Sequence, residues 1–340
     1  MMMPIGIIRT GLVTSVGLSA PAACAAIRAG ITNPTKTRFL DSEGEPLLGH
    51  QVPLERPWRG LTRLTKMAGM TILECLDGIP EDEWSRIPLL LCVAERERPG
   101  RLDGLEDALL PDIRNDLGVE FDPQSSVIPQ GRVSVAVALV QARDLIITGK
   151  RRYVVVAAVD SLLTGPTLGA YERDERLLTA RNSNGFMPGE GASALLIAAA
   201  DAGVQIVCTG IGFGVEAAHI GSGQPLRADG LVNAHRAALA EAECTLADLL
   251  FRVTDLSGEQ SYFKEADLAL SRLLRVRQED PQLWHPSEIT GACGAAIGGV
   301  CLAVVHAAFA KRYAPGPAAL VHFSADAGQR ASMVVRSLDG

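Results

Sequence analysis

The run Tyr-Val-Val-Val-Ala-Ala-Val at residues 153–159 has no polar face. A strand with apolar side chains on both sides of its pleat must be covered on both sides, so this chain needs a sheet sandwiched between helices. The neighbouring segments supply both. Strand-like runs at 5–13, 89–93, 192–199, 204–214, 318–323 and 332–337 alternate with helical spacings at 20–29, 61–76, 133–148, 231–242, 265–276 and 295–310. The first helix carries its own punctuation, with Ser19 as N-cap, Pro21 in the first turn and Gly30 closing it. In 61–76 the apolar residues share one face, and Arg63 and Lys66 fall on the other. The helix at 133–148 ends at Gly149, and the polar stretches 95–105 and 221–230 read as loops. This alternation predicts an α/β architecture.

The order also repeats. A strand with a glycine-rich exit at 5–17 reappears at 204–214, and each is followed by helices, an apolar strand and a terminal strand pair. Two pseudo-repeated halves, 1–200 and 201–340, are expected to pack as one compact unit. The 340 residues, 47% of them hydrophobic, suffice for a large core. A net charge of −7 argues against a nucleic-acid-binding surface. No run of 18 apolar residues is free of charge, so no membrane span is expected, and the N-terminus reads as a strand start, not a signal peptide. Seven cysteines (24, 75, 92, 208, 244, 293 and 301) show no CxxC spacing, as expected of reduced thiols in a cytoplasm. The six histidines form no HxxxH or HxH pair, so neither a metal site nor a cofactor is expected.

Four segments carry a resemblance. Residues 286–299, Pro-Ser-Glu-Ile-Thr-Gly-Ala-Cys-Gly-Ala-Ala-Ile-Gly-Gly, resemble the Lys-Ser-x-x-Gly-His-x-x-Gly-Ala-Ala-Gly signature of the β-ketoacyl synthases (3-oxoacyl-ACP synthases) of the thiolase superfamily. Residues 8–17, with Ala26-Ile-Arg-Ala-Gly30, are similar to that family's opening strand and helix. Residues 184–192, Asn-Gly-Phe-Met-Pro-Gly-Glu-Gly-Ala, look like its Asp-Gly-Phe-x-x-Gly-Glu-Gly-Ala, the most specific of the four. Residues 204–214, with His219, are like the strand that opens the second half. The segments occur in family order and span most of a chain shorter than typical members. The resemblance implies a thiolase-like five-layered α/β/α/β/α fold and a dimer formed through a sheet-edge strand, with the run 153–159 a buried strand beside that edge.

At the positions where the family carries its chemistry, this sequence departs from it. The resemblance places the nucleophilic cysteine, activated at a helix N-terminus beside an oxyanion hole, on Gly131 or Arg132; no cysteine occurs from 93 to 207. The first catalytic histidine, from Val-x-Ala-His-Gly-Thr, falls on Leu256 or Ser257. The second falls on Gly291, and the signature lysine on Pro286. The family's closing loop, Gly-Phe-Gly-Gly-x-Asn, has become Ala325-Asp-Ala-Gly-Gln-Arg330, without the gating phenylalanine.

Other residues present alternatives. Gln130 matches the glutamine that chain-length factors carry at the cysteine position if the alignment slips by one; otherwise Pro129-Gln130 forms the turn before the helix. Cys293 lies in a glycine-rich turn without an evident base, and reads as a buried inert thiol or a weak nucleophile candidate. Ser134 and Ser257 likewise lack an identifiable base, and cap or pack. Glu190 reads as structural. Lys150-Arg151-Arg152 is a solvated turn or a contact for an acidic partner such as an acyl carrier protein.

Condensation needs a thiolate to hold the acyl chain and imidazoles to stabilise the enolate. The resulting expectation is a catalytically silent ketosynthase-like homodimer that binds a protein partner, as an accessory to a bacterial secretion effector such as those of type VI systems. The alternatives are an acyltransferase of the 3-oxoacyl-ACP synthase type, and a chain-length-factor-like subunit that needs a ketosynthase partner.

Overall fold

The computed structural model describes residues 3–200, 204, 206–274 and 281–338. In chain order the first half comprises β1 (Ile5–Val13), α1 (Ala20–Ala29), β2 (Thr35–Leu40), β3 (Pro46–Gly49), α2 (Gly60–Leu76), α3 (Glu81–Trp84), β4 (Leu89–Cys92), α4 (Leu109–Leu117), β5 (Ser126–Ile128), α5 (Ser134–Ile147), β6 (Val154–Ser161), α6 (Gly165–Arg173) and β7 (Glu190–Ala199). The second comprises β8 (Ile206–Val215), α7 (Asp229–Glu241), β9 (Phe251–Thr254), α8 (Gln260–Leu273), β10 (Gln282–Trp284), α9 (Ser287–Thr290), α10 (Ile297–Ala310), β11 (Ala318–Ser324) and β12 (Gln329–Ser337). The punctuation of α1 is as expected: Ser19 accepts from Ala22 N, and Gly30 closes the helix at φ +66°. The expected end of a helix at Val276 lies outside the described residues, as does Gln205 of the strand expected over 204–214, which runs here as Ile206–Val215.

Ten strands form one sheet in the order β10-β9-β11-β12-β8-β1-β7-β6-β4-β5. The order is mirrored about the β1–β8 seam. Outward from β1 come two antiparallel neighbours and then two parallel ones, and outward from β8 the same pairings recur. The pseudo-repeat read from the sequence is therefore a repeat of topology.

β6 shows why its sequence has no polar face. Val154, Val156 and Ala158 face a core shared with α5, α10 and strands of both halves, whereas Val155, Ala157 and Val159 face α2 and α4. On the far side of the second half, α7 and α8 cover β11 and β12. The layers are thus α2/α4, first half-sheet, α5/α10, second half-sheet, α7/α8, the five-layered arrangement expected.

Two local expectations are corrected. Arg63 does not lie on an outward face of α2; it is buried, with its guanidinium on the Glu190 carboxylate. The run 153–159 is not beside the sheet edge, because β4 separates it from the edge strand β5.

Candidate functional site

β4 and β5 lead into the start of α5. Gly131 N donates to Val93 O at 3.1 Å, and a 3-10 turn over 131–133 precedes the helix. Ser134 closes this turn: its hydroxyl accepts from Gln130 N at 3.2 Å and donates to Val93 O at 3.4 Å. Gln130 is exposed. Gly131 adopts φ +54°, a conformation that glycine takes without strain. A Cβ built there would come within 2.1 Å of Glu95 Oε2, so the space a side chain would take at this position holds the Glu95 carboxylate.

Glu95 belongs to a chain of buried charges. Arg98 donates to both Glu95 oxygens, at 3.0 and 2.6 Å, and to Asp160 Oδ2 at 2.5 Å. Asp160, near the end of β6, also accepts from Ala295 N at 2.8 Å. Its carboxylate fills the space beside Gly294, where a Cβ would meet Oδ2 at 2.0 Å. Burial raises the Glu95 pKa, but the neighbouring Arg98 guanidinium outweighs this and holds the group below its ordinary value.

Arg132 turns inward. It donates to Ser324 O at 3.3 Å and stands 4.0 Å from Asp255 and 3.6 Å from Asp326. Asp326 further accepts from Arg176, Tyr171 and Tyr262, and Arg176 is paired on its other side with Glu259 at 2.8 and 3.0 Å. Burial opposes the charge on Asp326, yet Arg132 and Arg176 hold its carboxyl far below the usual carboxylate range. Burial dominates at Asp255 and lifts it to about 6. Leu256 is packed in an apolar cluster with Leu231 and Tyr262, and Ser257 is half-buried.

Gly291 lies on the other side of this region at φ +72°. A Cβ there would meet the His50 ring at 2.8–3.0 Å, so another residue's imidazole occupies the space. His50 Nδ1 lies 3.2 Å from Ser15 Oγ, and burial pushes the ring down to about 4. Glu190 accepts from Arg63, from Val52 N at 2.9 Å and from Ser161 Oγ at 2.9 Å. Cys293 is fully buried, and burial followed by the Asp160 charge pushes its thiol up to about 12, away from a nucleophilic thiolate. Pro286 is buried.

The structure therefore gathers Gly131, Arg132, Leu256, Gly291 and Cys293 around one interior region, and places Gln130 outside it. Sequence reasoning missed the groups that fill the region: Glu95, Arg98, Asp160 and Arg176. For Glu95, Arg98 and Arg176 the signal was present as mixed charge in Glu95-Arg96-Glu97-Arg98 and Glu172-Arg173-Asp174-Glu175-Arg176; Asp160 ends the apolar run 153–159. A groove of about 390 Å³ opens elsewhere, lined by Phe39, Trp58, Arg59, Ser161, Pro166 and the Arg63–Glu190 pair. Of the basic run, Arg151 pairs with Asp122 at 2.9 Å and Arg152 stands 3.9 Å from Glu83. No group of His, Cys, Asp and Glu suited to a metal ion occurs among the described residues.

No protein-family model matches the sequence, and no curated protein sequence matches it. Solved structures do. A chain of the ketosynthase ApeO in complex with its chain length factor ApeC, from Xenorhabdus doucetiae, superposes with a TM-score of 0.77 at 14% identity, over 98% of each chain. The complex of a type II polyketide synthase acyl-carrier protein with its hexaketide-bound ketosynthase gives 0.81 at 14%, over 99% of this chain and 100% of that one. A β-ketoacyl synthase from Burkholderia phymatum gives 0.74 at 15%, over 99% and 100%. In fold, this chain is a ketosynthase-like protein of the thiolase type.

Proposed function

We propose that this chain is a non-condensing partner subunit, which pairs with a ketosynthase-fold chain and carries no acyl group of its own. The observation that carries this reading is Gly131. Gly131, one of the two residues that the resemblance offers for the thiol position, has no side chain, and the Glu95 carboxylate of the Glu95–Arg98 pair occupies the space beside it. No imidazole stands at Leu256 or Gly291 to stabilise an enolate. The ring beside Gly291, that of His50, comes from another segment of the chain, is buried, and has its Nδ1 3.2 Å from Ser15 Oγ. An adaptor for a secretion effector would use the same scaffold. The partner-subunit reading has further support, because a ketosynthase in complex with its chain length factor is among the similar structures.

Two surfaces suit such a role. β5 is a sheet edge, with Ser126 exposed and one row of backbone groups open to another strand. In isolation, the same edge would pair two copies as a homodimer. The exposed Arg38 and Arg59 form no ion pair among the described residues and line the groove, a basic rim suited to an acidic acyl carrier protein.

The test has two arms. The purified protein is incubated with acyl-CoA or acyl-ACP and its intact mass recorded; no adduct is expected, and a stable acyl adduct on Cys293, Ser134 or any interior residue would overturn the reading. Co-expression with a ketosynthase from the same host should give a stoichiometric complex that Ser126→Arg weakens. A protein that stays monomeric in both settings sinks the pairing.

A further inference from the structure

The Asp326 carboxylate sits in a cage made by residues remote from it in sequence. Arg176 grips it with two nitrogens, Nη1 to Oδ2 at 2.6 Å and Nη2 to Oδ1 at 3.1 Å. Tyr262 donates to Oδ1 at 2.7 Å and Tyr171 to Oδ2 at 3.3 Å, while Arg132 Nη2 lies 3.6 Å from Oδ1. A planar guanidinium fork with two hydroxyls and a second guanidinium is a donor set matched to a carboxylate.

The cage has supports that do not involve Asp326. Glu259 holds Arg176 from its far side, and Ser324 O accepts from Arg132. The Arg176 guanidinium stacks over the Tyr171 and Phe186 rings at 4.9 and 5.6 Å, and that of Arg132 over Tyr262 at 5.5 Å. Asp326 itself lies in the short turn between β11 and β12, where Gly328 adopts φ +97° and its N donates to Ala325 O at 3.1 Å. Its side chain is 23% exposed, whereas those of Arg132 and Arg176 are 9% and 10% exposed. The donors are fixed in the body of the protein, and the acceptor is delivered from the surface on a turn.

We propose that Arg132, Tyr171, Arg176 and Tyr262 form a carboxylate receptor, that Asp326 is its resident intramolecular ligand, and that a free small carboxylate competes for the same place. The tether gives Asp326 a local concentration on the order of millimolar or above, so the competitor must be abundant or make further contacts. Its binding would release the 325–328 turn. The receptor stands on its own geometry, whichever protein the chain pairs with.

The experiment uses Asp326→Ala in the full chain, with sodium formate or acetate titrated against sodium chloride at equal ionic strength. The variant should melt below the parent and regain thermal stability with formate or acetate but not with chloride. Adding Arg176→Gln should abolish that rescue. In the unsubstituted protein, high acetate should speed hydrogen exchange across 325–328. If the alanine variant does not fold, the exchange measurement on the unsubstituted protein decides: acetate that speeds exchange across 325–328 no more than chloride overturns the proposal. The proposal is overturned if carboxylates act no better than chloride, or if rescue survives Arg176→Gln.

Discussion

His235 on α7 and His322 on β11 are buried with ring centroids 5.1 Å apart. His235 Nδ1 meets Ser332 Oγ at 2.9 Å; His235 Nε2 and both ring nitrogens of His322 have no hydrogen-bond partner among the described residues. Burial, then the charge of Arg252, lowers His235 to about 3; burial, then its neighbour His235, lowers His322 well below its ordinary value. The folded chain therefore holds both rings neutral, whereas the unfolded chain protonates them at about pH 6.5. Their contribution to stability is complete above that pH and is lost as the pH falls below it towards the folded values. Asp255 acts in the opposite sense. Its carboxyl is raised to about 6, so stability gains as the pH drops from there towards the unfolded ~3.9. Denaturant titrations between pH 7 and 4 should show a shallower acid loss for His235→Gln/His322→Gln and a steeper one for Asp255→Asn. Identical pH slopes for all three proteins would contradict both assignments.

Among the elements, β8 and α7 show how composition sets the distance between layers. Gly210, Gly212 and Gly214 face the helix along one side of the strand, and a Cβ on each would strike α7 backbone oxygen at 2.0–2.2 Å. The helix therefore rests directly on the strand. Gly212→Ala should cost about 1–3 kcal/mol through overpacking, measured as a fall in the denaturation midpoint with an unchanged slope. A loss below about 0.5 kcal/mol would mean that the layer shifts freely. Elements of this kind were legible in the sequence because burial on one face imposes a period, as in α1, and burial on both leaves an unbroken apolar run, as in β6. The β2–β3 hairpin escaped because its residues are mostly exposed and carry no apolar alternation. β5, β9 and β10 are only three or four residues long, too short for a period to show. For the site, the sequence offers only positions counted along motifs. Its contents were not legible: Arg63 and Glu190 lie 127 positions apart, and Arg176 and Asp326 lie 150 apart. An arginine read alone looks like a solvated residue.

At the scale of the whole molecule, the mirrored sheet puts two helix starts, those of α5 and α10, into one interior, and buried ion pairs fill the space around them. Arg330 and Glu265 are among the most buried of these, with side chains 1% and 3% exposed and contacts of 2.6 and 2.9 Å. Arg330→Met should cost about 3–5 kcal/mol, because it leaves the Glu265 carboxylate buried and alone, and adding Glu265→Leu should recover most of that loss. A double variant no more stable than the single one would show that the pair does not act as a unit. The same arithmetic makes this interior hard to reopen. Gly131 and Gly291 each leave room that a distant residue occupies: Glu95 and His50. A side chain placed at either glycine displaces its occupant, and at Gly131 it strands a charged partner inside the protein. From this packing, each single substitution towards an open cavity runs uphill. The packing is a ratchet, and only several coordinated changes could turn it the other way.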